Sequence, residues 1–335
     1  MLTIYGADHV QLVADWLHRT WRQRGLGMRI RLSGYQGAAS VHTRGLHHLS
    51  ADLTSLGLNP EITDNVTTTG LAAKALFDAV EREDAHICYM ASGYLTEHVP
   101  ALAVLDLPMA APERLRAHEA LDGLAGRLLT DHIEQETDFH VLGFWDNGVR
   151  HITNRVRPIR SVSDCSGLVV RTIDNTLYQD ALRAFGFRPI VTDVRDLVDA
   201  VASGKVDAQE NPIANTLSFG LHKHHRHLSL TGHIAGVALL LCRSAWFRAL
   251  PAETAAGIEA AAARSTQAQR AWAIEEDRIG LEQFRASGVE VVERGELNLR
   301  SFESAAAPVL KEAISRLDPE LVKAYFGDEH PVVVG

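Results

Sequence analysis

Short apolar runs of strand length alternate with stretches of helical periodicity along most of the chain. Strand patterns fall at 28–35, 60–67, 85–91, 139–146, 149–154, 168–173, 188–192, 206–211, 226–232 and 235–242. Helical patterns lie between them at 40–56, 70–82, 112–136, 176–186 and 194–203. Gly186 and Gly204 stand where helix C-caps are expected, each followed by a strand. Alternation of this kind predicts an α/β fold.

One further stretch sets the architecture. From Pro251 to about Ser287 the chain is rich in alanine, has a proline near its start and meets Gly288 as a stop. A single helix of about 35 residues would run roughly 50 Å, longer than one domain is wide, so it is expected to cross between two domains. Two helices broken near Arg270 are the alternative. Asp146-Asn147-Gly148 is a good turn sequence for a crossing between the halves.

With 335 residues there is core enough for one large domain or two ordinary ones. The apolar share of 46% and charged share of 22% are those of a soluble globular protein. A net charge of -9 without any long basic run argues against a nucleic-acid partner. No apolar run approaches the roughly 20 residues needed to cross a bilayer. Cys88, Cys165 and Cys242 are an odd count without paired spacing, so they read as small buried hydrophobes. Asp8, His9, Asp15 and His18 interrupt any apolar core near the start, and residues 14–24 read as a basic amphipathic helix. Residues 1–27 are therefore expected to be an extension without a recognisable signal peptide, or translation begins at Met28.

The candidate chemistry is that of binding. Arg171 closes the apolar run from Val169, and Asn211 ends another strand just before Pro212. A guanidinium fork with an amide donor on two strand ends suits a small carboxylate. The competing role for Arg171 is a sheet-edge pair with an acid such as Asp174, and for Asn211 a strand-ending turn. Arg150 and Asn154, four apart on one strand, point to one face that either lines a cleft or forms an exposed edge. Trp145 and Tyr94 are candidate apolar walls, or core. Ser92, after an apolar strand, is a candidate hydroxyl donor. Among 222–227, Lys223 and Arg226 interleave the four histidines and would repel a cation, which favours a solvated loop over a metal site. Glu275, Glu276 and Asp277 read as the wet face of the long helix, near Arg270 and Arg278. No catalytic triad order, CxxC pair, phosphate-cradling glycine loop or HExxH motif appears. No catalytic residue, cofactor or metal is expected.

Several stretches together resemble the solute receptors of tripartite ATP-independent periplasmic (TRAP) transporters, of the dicarboxylate-receptor type. They are Ser92-Gly93-Tyr94-Leu95, Val104 to Pro108, Gly143 to Gly148, Arg150 to Asn154, Asp164 to Arg171, Ala184-Phe185-Gly186, Ala200 to Pro212 and Leu228 to His233. The resemblance implies a two-lobed, Venus-flytrap fold with a long helix bridging both lobes. It places lobe one at about 28–147 plus 235–260, lobe two at 148–234 plus about 276–335, and the bridging helix at 251–287. It implies an arginine–carboxylate pair at Arg171, assistance from Asn211, a further contact from Arg150, and Tyr35 where the first loop meets ligand. The position between Arg171 and Asn211 that often holds a stacking aromatic is Val194 here. The implied activity is capture of a small mono- or dicarboxylate in the periplasm and delivery to TRAP membrane subunits. A sensor-system receptor, a cytosolic scavenger and an enzyme on the same scaffold are the alternatives.

Overall fold

The computed structural model describes residues 27–334; the amphipathic helix expected at 14–24 lies outside them. The first half is built from β1 (Arg29–Ser33), α1 (Val41–Ser55), β2 (Asn59–Thr63), α2 (Ala75–Glu81) and β3 (Ile87–Ala91). Two helices follow, α3 (Arg114–Asp122) and α4 (Leu124–Glu136), where one was expected over 112–136. Gly123, with ψ near -138°, breaks the helical run between them.

The chain then crosses. β4 (Phe139–Asn154) is one long strand rather than the two expected, and the predicted turn at Asp146-Asn147-Gly148 is a bulge within it. The same chemistry serves both structures: Gly148 takes φ +80°, and Asp146 Oδ1 accepts from the Gly148 N–H at 2.7 Å. The second half comprises β5 (Val169–Thr172), α5 (Thr176–Ala184), β6 (Arg188–Val191), α6 (Val194–Ser203), β7 (Ala208–Pro212) and α7 (Ile213–Ser218). β8 (His227–Arg243) returns as a second long strand and merges the two runs expected at 226–242.

Among the described residues nine strands form a sheet in the order β2-β1-β3-β8-β4-β7-β5-β6, with β9 (Glu290–Val292) on β8. β1 to β3 are mutually parallel, as are β5 with β6 and β7, while the crossing strands β4 and β8 run antiparallel to each other and to their flanking neighbours β7 and β3. α8 (Ser244–Arg248) leads into α9 (Ala252–Ala286), an unbroken helix of 35 residues. Arg270, where a break was the alternative, is inside it, donating to the Phe144 carbonyl at 3.0 Å and to Asp122. The N-terminal part of α9 packs on α1, where Ser265 Oγ donates to the Gly45 carbonyl at 2.8 Å. Its C-terminal part packs on α7, with Gly280 against Ile213 and Leu217. The helix thus touches both halves.

α10 (Leu299–Ile314) packs on α5, and Phe302 enters the second half's core. α11 (Pro319–Phe326) instead packs on α3 and α4, and Leu321, Val322 and Tyr325 join the large core of the first half. A short helix, α12 (Pro331–Val334), follows. Residues 319–326 thus pack with the first half, because the chain doubles back after Ile314.

Two surface readings also change. His225 is buried, with Nδ1 2.9 Å from Thr153 Oγ1, so it is not part of a solvated loop. Asp277 is not on the wet face of α9; it meets Arg114 Nη1 at 2.8 Å. Cys88, Cys165 and Cys242 are buried and unpaired.

Candidate carboxylate site

Arg171 sits at the end of β5, in register with Gln209 of β7. It is 1% exposed, its Nε donates to the Thr192 carbonyl at 2.8 Å, and its Nη2 is buried without a partner. Three arginines are buried among the described residues: Arg150, Arg171 and Arg270. Glu210 neutralises Arg150 and Asp122 neutralises Arg270, whereas no carboxylate among the described residues meets Arg171. Asp174, the acid that competed for it, pairs instead with Lys74 at 2.8 Å.

Around Arg171 the polar groups converge from both halves. Tyr94, in a 310 turn at Ser92–Tyr94, places its hydroxyl beside the guanidinium; burial pushes the phenol up, and the Arg171 charge pulls it back. Tyr35 lies edge-on to Tyr94 with centroids 6.1 Å apart and accepts from Gln36 Nε2 at 3.3 Å. Ser92 is buried at the start of the same turn, its carbonyl taken by the Leu95 N–H. Asn211 donates through Nδ2 to Gln209 Oε1 at 2.6 Å and accepts from Arg150 Nη2 at 3.3 Å. An amide nitrogen carries two hydrogens, so one remains for a ligand. Thr192 adds a buried hydroxyl without a partner. A fork with an unused N–H, an amide and phenols, all shielded from water, can bind a carboxylate.

Three expected site residues are placed elsewhere or occupied. Asn154 is a turn cap: its Oδ1 accepts from the N–H groups of Val156 and Arg157. The four-residue spacing puts Asn154 at the last residue of β4, opposite Ala208 at the start of β7, whereas Arg150 lies opposite Pro212 at the end of β7. Trp145 is core, its Nε1 donating to Thr266 Oγ1 at 3.1 Å and its ring stacked on Tyr89. Gly45 leaves the room that this ring fills. Arg150 is engaged by Glu210 through Nε and through Nη2, the latter 2.9 Å from Oε1. Burial opposes ionisation of Glu210, yet the Arg150 charge prevails and holds its carboxyl at about 2.

Sequence reading missed Glu210, Thr192, His42, Asp106 and Tyr178. Asp106 is the most surprising: it is fully buried, its Oδ1 accepts from the Tyr178 hydroxyl at 2.9 Å, and its Oδ2 has no partner. An aspartate inside the apolar run Val104-Leu105-Asp106-Leu107 was the available signal. The halves meet over this region. Besides Tyr178–Asp106 and Lys74–Asp174, Asn175 Nδ2 donates to the Gly93 carbonyl at 2.9 Å and Arg195 Nη1 to the Gly70 carbonyl at 2.8 Å.

The family model described as bacterial extracellular solute-binding protein, family 7, matches residues 69–316. The chain belongs to this family. A solute-binding protein of Verminephrobacter eiseniae is 30% identical over 238 residues, 71% of this chain and 70% of that one. The 2,3-diketo-L-gulonate-binding periplasmic protein YiaO of Escherichia coli is 27% identical over 221 residues, 66% of each. A TRAP periplasmic solute-binding protein from Polaromonas, solved with D-erythronate, superposes with a TM-score of 0.83 at 26% identity, covering 89% of this chain and 98% of its own. As a family-7 receptor of the TRAP type, this chain is a solute-binding protein and not an enzyme, and relatives in Escherichia coli and Rhodobacter capsulatus are periplasmic. No helix among the described residues is long and apolar enough to cross a membrane.

Proposed function

We propose that this receptor captures a small organic carboxylate between its two halves, with Arg171 as the anchor, and delivers it to TRAP membrane subunits. The observation carrying this reading is the buried Arg171 guanidinium without an acid partner among the described residues. An unpaired buried charge is expensive, so a fold that retains one is built to receive an anion from outside. Asn211, Tyr94 and Thr192 complete the carboxylate's hydrogen bonds. Tyr35 and Ser92 line the space beyond.

The lobes on this reading are about 28–147 with 235–260 and with 319–326, against 148–234 with 299–314, linked by β4, β8 and α9. Closure is a hinge motion at the bulges of β4, and ligand shifts the balance only through its better binding to the closed form. The relatives named above that bind 2,3-diketo-L-gulonate and D-erythronate, both small organic acids, support the ligand class. A thermal-shift screen of hydroxy, keto, sugar and dicarboxylic acids tests it, because a cognate ligand raises the melting temperature by mass action. Stabilisation by one or more acids is expected. Stabilisation only by uncharged solutes would overturn the reading.

A further inference from the structure

Asn211 can help to hold a carboxylate only if it turns an N–H, and not its carbonyl, toward the ligand. On the reading of Arg171 as the anchor, its neighbours make that choice. An amide flipped by half a turn exchanges two groups of nearly the same size, so shape alone does not set it. β7 carries Gln209 and Asn211 two residues apart, hence on one face, and in the register of the sheet Gln209 lies between Thr153 of β4 and Arg171 of β5. All four are buried.

A chain of hydrogen bonds runs inward from Asn211. Asn211 Nδ2 donates to Gln209 Oε1 at 2.6 Å, and Gln209 Nε2 donates to Thr153 Oγ1 at 2.6 Å and to Thr216 Oγ1 at 3.4 Å. Both ends fix its direction. Thr216 gives its single hydroxyl hydrogen to the Pro212 carbonyl at 2.9 Å, so toward Gln209 it can only accept. Thr153 Oγ1 lies 2.9 Å from His225 Nδ1. Burial pulls His225 down to about 3, so near pH 7 its ring is neutral and Nδ1 can accept the Thr153 hydrogen. At the other end Arg150 Nη2, which has only hydrogens to give, donates to Asn211 Oδ1 at 3.3 Å. Reversing either amide would set N–H against N–H or oxygen against oxygen, and leave buried donors and acceptors unsatisfied.

We propose that Gln209 is a positioning residue of the carboxylate site: held from behind by Thr153 and Thr216, it accepts one Asn211 N–H and so leaves the other, and not the carbonyl, to the ligand carboxylate. Gln209 acts through Asn211, since its own amide oxygen and nitrogen are both engaged by the protein. The reverse orientation of Asn211 would bring a carbonyl oxygen up to the anion and remove a charge-assisted hydrogen bond.

The test is a double-mutant cycle read by calorimetry on the full chain, titrated with the acid that raises its melting temperature most in the screen above. Gln209→Met keeps the length of the side chain without its hydrogen bonds and is expected to weaken binding about tenfold. Asn211→Leu alone is expected to weaken it by about tenfold or more. In the Asn211→Leu background, Gln209→Met should then change affinity by less than about twofold, because no amide remains to be oriented. Unchanged affinity in a folded Gln209→Met or Asn211→Leu protein, or the same loss from Gln209→Met in both backgrounds, overturns the positioning role while leaving the carboxylate receptor intact. Binding of no acid by the wild-type protein overturns both. If Gln209→Met does not fold, Thr153→Val, which removes the acceptor behind Gln209, takes its place. Its expected loss is about threefold and disappears in the Asn211→Leu background. A loss that persists there, or no loss at all, overturns the proposal.

Discussion

The Tyr178 hydroxyl of α5 donates to Asp106 Oδ1 at 2.9 Å, joining the second half of the molecule to an apolar turn of the first. Burial pushes the Asp106 carboxyl up to about 7, against the pull of the Tyr178 hydrogen bond and the Arg150 charge. The folded chain therefore holds this proton at pH values where the unfolded chain, titrating near 4, has lost it. Stability from this group is whole below about pH 4 and is lost as pH rises through about 7. Asp106→Asn keeps an acceptor for Tyr178 without the titration. Its melting temperature relative to wild type is expected to rise from pH 5 to about pH 7 and to level off above it. A difference that is flat or falls over that range would show that Asp106 is ionised in the folded state.

The Arg150–Glu210 pair lies on paired strands, and both side chains are buried. Breaking such a pair from one side leaves the other charge stranded and costs about 3–5 kcal/mol, whereas replacing both with apolar groups of similar volume is often neutral. Arg150→Leu alone is expected to lower unfolding free energy by that amount in chemical denaturation. The Arg150→Leu, Glu210→Leu double variant is expected to recover most of it. Equal losses in the single and double variants would contradict the coupling.

How much of this was readable from sequence depended on how far apart the interacting residues lie. Strand and helix positions emerged from local periodicity, including the long α9. Where local signals serve two structures, reading failed: Asp146-Asn147-Gly148 suits a turn and a bulge alike, so β4 was divided. Arg171 is legible because it closes an apolar strand. The occupation of Arg150 is not, since Glu210 stands 60 residues away and meets it only when β4 pairs with β7. Trp145 reads equally as wall or core until Thr266, 121 residues later, takes its Nε1–H.

Gly148 holds the bulge of β4 at φ +80°, and an added Cβ would lie 2.8 Å from Pro212 Cβ and 3.2 Å from Asp277 Oδ2. The left-handed backbone and the crowding both oppose a side chain there. Gly148→Ala is expected to destabilise the fold by roughly 1–3 kcal/mol in chemical denaturation. A change smaller than about 0.5 kcal/mol, the range of neutral surface substitutions, would mean the bulge relaxes freely.

Arg171→Ala, titrated calorimetrically with an acid that stabilises the wild-type protein, tests the central claim most directly. Affinity is expected to fall by roughly 2–5 kcal/mol, because the ligand carboxylate is then buried without its partner. The ligand-free protein should melt at the same temperature or higher, since an uncompensated buried cation has been removed. Unchanged affinity in a folded Arg171→Ala protein would contradict Arg171 as the anchor.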